Sequence, residues 1–348
     1  MSHNPTPKYL GFQMPAEWQR HASTWMAWPH DDDQWIGMLE PVRREFAEFV
    51  SAIATRESVD LLVADWESEA DARQRLTRGS VRFHQVPHQD LWLRDSGPTF
   101  LTRADEVALV DWDFNGWGNK YPAELDNRIP EHVAGILGHV TPFHPRLVME
   151  GGALDVSGDG ALLTTRQCLL APTRNPGETE ETLESALKSY LGVTCVIWLD
   201  DGLEGDHTDG HIDTITRFVD ESTIVTAVCR DSADPNRDIL ARNLELLHDA
   251  RMPSGERYRI VELPTPTGRV EFEGERLPLT YANFYIINGA VLVPIYGAPE
   301  DEGALDILRP LFPGRDVVGL SARALITGGG AFHCVTQQQP AGRLWRRE

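Results

Sequence analysis

Over residues 40–55 the apolar positions Val42, Phe46, Phe49, Val50 and Ile53 recur every three to four residues. That repeat places them on one face of an α-helix and predicts a partner surface for it to cover. A second helix is predicted from Asn175 as cap and Pro176 in the first turn, with Leu183, Leu187 and Leu191 pointing inward and Gly192 as the stop. A third starts in the same way at Asp234 and Pro235 and carries Leu240, Leu244 and Leu247, and a shorter fourth covers 300–311. Between the helices lie aliphatic or β-branched runs broken by turn residues. Residues 161–165, which follow Ser157, Gly158, Asp159 and Gly160, read as half of a hairpin.

The runs share an arrangement. Asp95, Glu150, His211, Asn283 and Cys334 each open a strand-like stretch with a polar residue, at separations of 55, 61, 72 and 51 residues. Each interval is about the length of a hairpin, a helix and one connecting strand. Five such units would set themselves around a centre on which the polar residues converge. No linker rich in proline, glycine or serine interrupts the chain, so one domain spanning 1–348 is predicted.

Composition narrows the function class. Hydrophobic residues at 41% and charged residues at 24% fit an ordinary globular protein and exclude a disordered or fibrous one. No apolar stretch is long enough to cross a bilayer and the first residues carry no export pattern, so no membrane association is expected and a cytoplasmic location is. The net charge of −21 opposes a phosphate backbone and favours a small cationic partner over a nucleic acid. Cys168, Cys195, Cys229 and Cys334 show no CxxC pairing, so free thiols are expected.

Of these thiols Cys334 stands out, because Gly328, Gly329 and Gly330 precede it. Successive glycines permit positive φ and close approach, which suits a turn that presents a nucleophile in a crowded site. Cys168 and Cys195 sit in apolar strand-like runs and read as structural. His211 and Asp213 are two apart and would share a face if extended, as a base and a carboxylate addressing one substrate must. His207, His211 and Asp213 could instead bind a metal. Trp92, Asp95, Trp112 and Trp117 bring aromatic faces and carboxylates into loops, a combination suited to a cation with a flat head and an aliphatic stem. Arg94 faces away from Asp95 if that segment is extended.

These segments, together with 14–30, 281–289 and 328–340, resemble the agmatine deiminase and bacterial peptidylarginine deiminase family of the guanidine-modifying superfamily over almost the whole chain. The resemblance implies an α/β fold, a five-bladed propeller of ββαβ units. It implies Cys334 as nucleophile, His211 as catalytic histidine, and Asp95, Glu150 and Asp213 as catalytic or guanidinium-binding acids, with Trp92 and Trp117 lining the substrate site. The implied reaction is hydrolysis of agmatine to N-carbamoylputrescine and ammonia, with no metal or organic cofactor. Arginine or peptidyl-arginine as substrate, transfer of the amidino group to an amine, a metal-dependent hydrolase and an inactive binding protein of the same fold remain as alternatives. Self-association is left open. Ala331 and Phe332 depart from the family's polar and aliphatic residues at these positions.

Overall fold

The computed structural model describes residues 5–347. Five mixed sheets share one connection pattern. In each, an edge strand runs antiparallel to a central strand, and another strand lies parallel to that central strand on its far side. The edge and central strands are Thr99–Arg103 with Glu106–Val110, Asp155–Val156 with Ala161–Thr165, Thr216–Phe218 with Thr223–Val228, Tyr285–Ile287 with Ala290–Ile295, and Gln337–Pro340 with His21–Ala27. The last of these sheets gains a fourth strand, Val81–Gln85, beside its parallel strand Ser58–Val63. A separate ribbon pairs Glu271–Phe272 with Glu275–Arg276.

Asp95, Glu150, His211, Asn283 and Cys334 each stand two to five residues before one of the five edge strands. The spacing in the sequence reflects this placement. The hairpin at Ala161–Thr165 also forms as expected, pairing Asp155 with Leu163 and Val156 with Leu162.

The helices join central strands to their parallel neighbours. Leu39–Ala54 buries Val42, Phe46, Phe49, Val50 and Ile53, the apolar stripe of the sequence. The second helix starts later than the Asn175–Pro176 signal suggests. It is Glu180–Leu191, with a Thr179–Thr182 capping box at its start and Gly192 in the left-handed region at its end. Asn175 instead donates to and accepts from the backbone of Val148, holding two segments together. Asn236–Asp249 buries Leu240 and Leu247 and leaves Leu244 half-exposed, while Asp301–Leu308 is followed by a 3₁₀ turn at Arg309–Leu311. No helix among the described residues is long and apolar enough to cross a membrane.

Candidate active site

Asp95 lies on a single helical turn, Leu93–Ser96, so this segment is not extended. The turn is tied to the cysteine segment by a 3.1 Å hydrogen bond from the Arg94 amide to the Cys334 carbonyl. Arg94 still points away from Asp95, because a helical turn also separates adjacent side chains. Its guanidinium is buried against the His333 carbonyl and Glu17. His211 and Asp213 flank the start of a 3₁₀ turn, Ile212–Thr214, and the turn rather than strand alternation brings both inward.

Gly152 marks the point of convergence. Its N–H donates to Asp95 Oδ1 at 2.9 Å, and a Cβ there would stand 2.5 Å from His211 Nδ1, 2.8 Å from Asp95 Oδ1 and 3.1 Å from Asp213 Oδ2. Backbone without a side chain is the only thing that fits among these groups. Cys334 joins them, with Sγ 3.7 Å from Asp213 Oδ2 and 3.2 Å from Asn283 Nδ2. Of the three glycines before it, only Gly329 has positive φ, at 95°. Gly328 and Gly330 are required by packing. A Cβ would meet the Trp35 ring at 2.5 Å from the first and the Trp92 ring at 2.6 Å from the second. Ala331 and Phe332 are buried, and the Phe332 ring stacks on Phe49 of the Leu39–Ala54 helix with centroids 4.1 Å apart. Phe332 therefore anchors the cysteine segment to that helix.

The two tryptophans near residue 115 separate. Trp117, at φ 55°, donates its Nε1–H to Asp95 Oδ2 at 2.9 Å, whereas Trp112 donates to Thr99 and packs against Tyr190 as a core aromatic. Trp92 donates to Asp90 and covers the glycine turn. Glu150 is fully buried, and both its oxygens accept from Arg174 Nε, at 2.9 and 3.1 Å. His211 Nδ1 lies 3.6 Å from Asp95 Oδ1 and Nε2 lies 3.9 Å from Glu150 Oε2, beyond hydrogen-bond reach, and neither ring nitrogen has a hydrogen-bond partner.

Electrostatics follow from this crowding. Burial raises the Asp95 carboxyl to about 6, with Asp213 and Glu150 adding to the effect while His211 and Trp117 oppose it. Burial together with Asp213 and Asp95 pushes the Cys334 thiol well above its ordinary range, so the thiol holds its proton at neutral pH. Burial alone would lower His211, but the charge of Asp95 and contacts with Cys168 and Glu150 raise it well above the usual imidazole range. Burial likewise opposes ionisation of Glu150, and His211 and Arg174 outweigh it.

Several expectations change. His207 does not join His211 and Asp213. It is partly exposed and pairs with Glu275 at 2.9 Å, so the alternative metal-ligand set of His207, His211 and Asp213 does not gather. Cys168 lies on the short helix Arg166–Leu169, not on a strand, and its Sγ is 3.7 Å from Glu150 Oε2. Among the described residues, Glu150, Cys168 and His211 form the set of potential donor atoms that does gather, within 4.8 Å of one another. Cys195 opens the strand Cys195–Leu199, as its surroundings suggested. Reasoning from spacing missed Glu17, Arg174 and His333. His333 adjoins Cys334 and Glu17 lies in the 14–30 segment, but neither position carries a local signal of what it contacts.

The profile of the Porphyromonas-type peptidyl-arginine deiminase family matches residues 13–340. An agmatine deiminase of Pseudomonas aeruginosa is 36% identical over 365 aligned residues, covering 98% of this chain and 99% of the relative. Among solved structures, the agmatine deiminase of Enterococcus faecalis superposes with a TM-score of 0.92 at 30% identity, over 97% of this chain and 98% of that one. The C. jejuni agmatine deiminase gives 0.86 at 29% identity, over 95% and 97%. With a family match across nearly all of the chain and relatives this similar end to end, this protein belongs to the Porphyromonas-type peptidyl-arginine deiminase family.

Proposed function

We propose that this protein is an agmatine deiminase in which Cys334 is the nucleophile, His211 the proton carrier, and Asp95 and Asp213 the carboxylates that receive the guanidinium. The observation that carries the reading is the gathering of two carboxylates and an imidazole around Gly152, with the Cys334 thiol 3.7 Å from Asp213. A guanidinium is planar, permanently charged and rich in donors, so paired carboxylates are its natural receptors. Its positive charge lowers the cost of ionising a thiol that otherwise stays protonated. Substrate therefore helps to make its own nucleophile.

The thiolate adds to the central carbon, and His211, starting as imidazolium, gives a proton to the departing nitrogen. Collapse of the adduct breaks that C–N bond, releases ammonia and leaves a thiouronium on Sγ. Neutral His211 then takes a proton from water, the resulting hydroxide adds to the same carbon, and the C–S bond breaks. The hydroxyl proton of the collapsing adduct passes to solvent, and the products are N-carbamoylputrescine and the regenerated thiolate. Glu150, clamped by Arg174, supports the charged His211. We further propose that the five sheets stand around this centre as the blades of a propeller in one domain. Their shared topology and the polar residue before each edge strand support that arrangement. An experimental structure in which the five sheets enclose no common centre would defeat it.

Agmatine is favoured over arginine because the cations near the site are engaged. Arg94 is buried on Glu17, and Arg174 is taken by Glu150, Asp209 and the Thr208 carbonyl. An α-carboxylate would meet carboxylates without a free partner, and each ~1.4 kcal/mol of that repulsion costs tenfold in specificity. The test is kcat/KM for ureido product formed from agmatine, free arginine and a blocked arginyl peptide in one buffer. Equal values, or a preference for either arginine form, would overturn the substrate assignment and leave the deiminase chemistry standing. Loss of turnover on exhaustive chelation, restored by added zinc, would instead favour metal chemistry at Glu150, Cys168 and His211.

A further inference from the structure

Next to the nucleophile is a histidine that the proposed mechanism does not use. His333 is almost wholly buried, and both its ring nitrogens meet carboxylates: Nδ1 lies 2.7 Å from Asp213 Oδ2 and Nε2 lies 2.8 Å from Glu17 Oε2. The ring is therefore held at both ends between two carboxylates.

The far partner is firmly held. Glu17 Oε1 accepts from the Ile286 amide at 2.7 Å and Oε2 from Arg217 at 2.9 Å, with Arg94 at 3.7 Å. The near partner is half claimed, because Asp213 Oδ2 receives His333 while its buried Oδ1 has no hydrogen-bond partner. The His333 backbone is fixed as well, its N–H donating to Asn283 Oδ1 at 3.0 Å, and Asn283 also contacts Cys334 Sγ.

We propose that His333, anchored by Glu17, is a positioning residue for the reaction: it occupies one oxygen of Asp213 and leaves the other to the guanidinium. The proposal rests on the deiminase reading and assigns His333 no proton transfer to substrate. Burial alone would raise the Asp213 carboxyl, and the hydrogen bond and charge of His333 are the leading influences that hold it below its ordinary value. Without His333, the carboxylate could turn and would lose the nearest charge that keeps it ionised.

Two substitutions separate this role from simple packing. His333→Asn keeps an amide donor near the place of Nδ1, facing Asp213, whereas His333→Gln moves the amide outward toward Glu17. The measurements are kcat and KM, melting temperature, and calorimetric affinity for agmatine in a Cys334→Ala background, where no turnover occurs. His333→Gln should weaken agmatine binding about 10- to 100-fold, the worth of one hydrogen bond to a charged group, and His333→Asn should recover most of that loss at a similar melting temperature. Equal affinities for both variants and the parent, or losses that follow melting temperature alone, would overturn the proposal. If His333→Gln does not fold, Glu17→Gln takes its place. It removes the anchoring charge and should weaken agmatine binding several-fold, and unchanged binding would overturn the proposal equally. If the wild-type enzyme instead turns over arginine, the same affinities are measured with arginine. The substrate reading then fails while the test of His333 stands.

Discussion

The inward stripe of the Leu39–Ala54 helix and the centre around Gly152 are buried to the same degree and are stabilised in opposite ways. Inside the helix stripe, Val42, Phe46, Phe49, Val50 and Ile53 lose nearly all exposure, and each contributes roughly 1.5–3 kcal/mol by leaving water. At the centre, Asp95, Glu150, His211 and Asp213 are equally dry, and burial works against every charge there. Glu150 is compensated by Arg174 and Asp213 by His333. Asp95 has only the Trp117 and Gly152 N–H groups and the charge of His211, so burial prevails and its carboxyl stays raised. The lesson is a division of labour. The outer layer supplies stability, and the centre holds strained ionisation that a cationic substrate can relieve.

Substitutions at the two regions should therefore produce opposite signatures. Cys334→Ser should lower kcat on the order of 10⁴-fold or more with an unchanged melting temperature. Substantial residual turnover, or a substrate adduct found by mass spectrometry on another residue, would break the comparison at its centre. Phe46→Ala, at the outer layer, should cost roughly 3–5 kcal/mol of unfolding free energy and leave kcat per folded molecule unchanged. Denaturant titration beside an assay of the folded fraction would detect a loss of kcat, which would mean that the two regions are not separable.

Gly152→Ala tests the centre sterically. The added methyl would collide with His211, Asp95 and Asp213, and displacement of about 1 Å should lower kcat/KM on the order of 10²-fold. Its stability loss should stay within roughly 1–3 kcal/mol, and a fully active variant would remove the convergence point from the mechanism.

Acidity offers a smaller and graded probe. Asp95 titrates near 6 and must be ionised to accept a guanidinium, so kcat/KM should fall as pH drops through about 6. The sign is opposite for stability. The raised carboxyl binds its proton more tightly folded than unfolded, so its ionisation makes the fold less stable as pH rises from about 4 to about 6. A pH–rate profile showing no limb between 5 and 7, and melting temperatures flat from about pH 4 to about pH 6, would remove Asp95 from this role. The least effect is expected from Cys168→Ser, which keeps a donor beside Glu150 and should change kcat/KM by less than about tenfold. A loss as deep as that of Cys334→Ser would make Cys168 a member of the chemistry.

The outer layer was readable because its information is local. The stripe at residues 40–55 becomes Leu39–Ala54, and Leu183, Leu187, Leu191 and Gly192 mark the inner face and end of Glu180–Leu191. The helix start was misplaced because Thr179 and Thr182 outcompete Asn175, whose side chain serves a distant backbone. The recurrence of a polar residue before an edge strand was also visible, since it is spacing along the chain.

What spacing could not supply was the pairing of charges. Glu17 meets a histidine 316 residues away, Glu150 meets Arg174 across another turn, and Cys168 enters the centre although it opens the apolar run Leu169, Leu170 and Ala171. An apolar side chain gains from any dry neighbour, so its period along the chain is enough to place it. A buried charge gains only from a specific partner at hydrogen-bond distance, and that partner is fixed by how the whole chain packs.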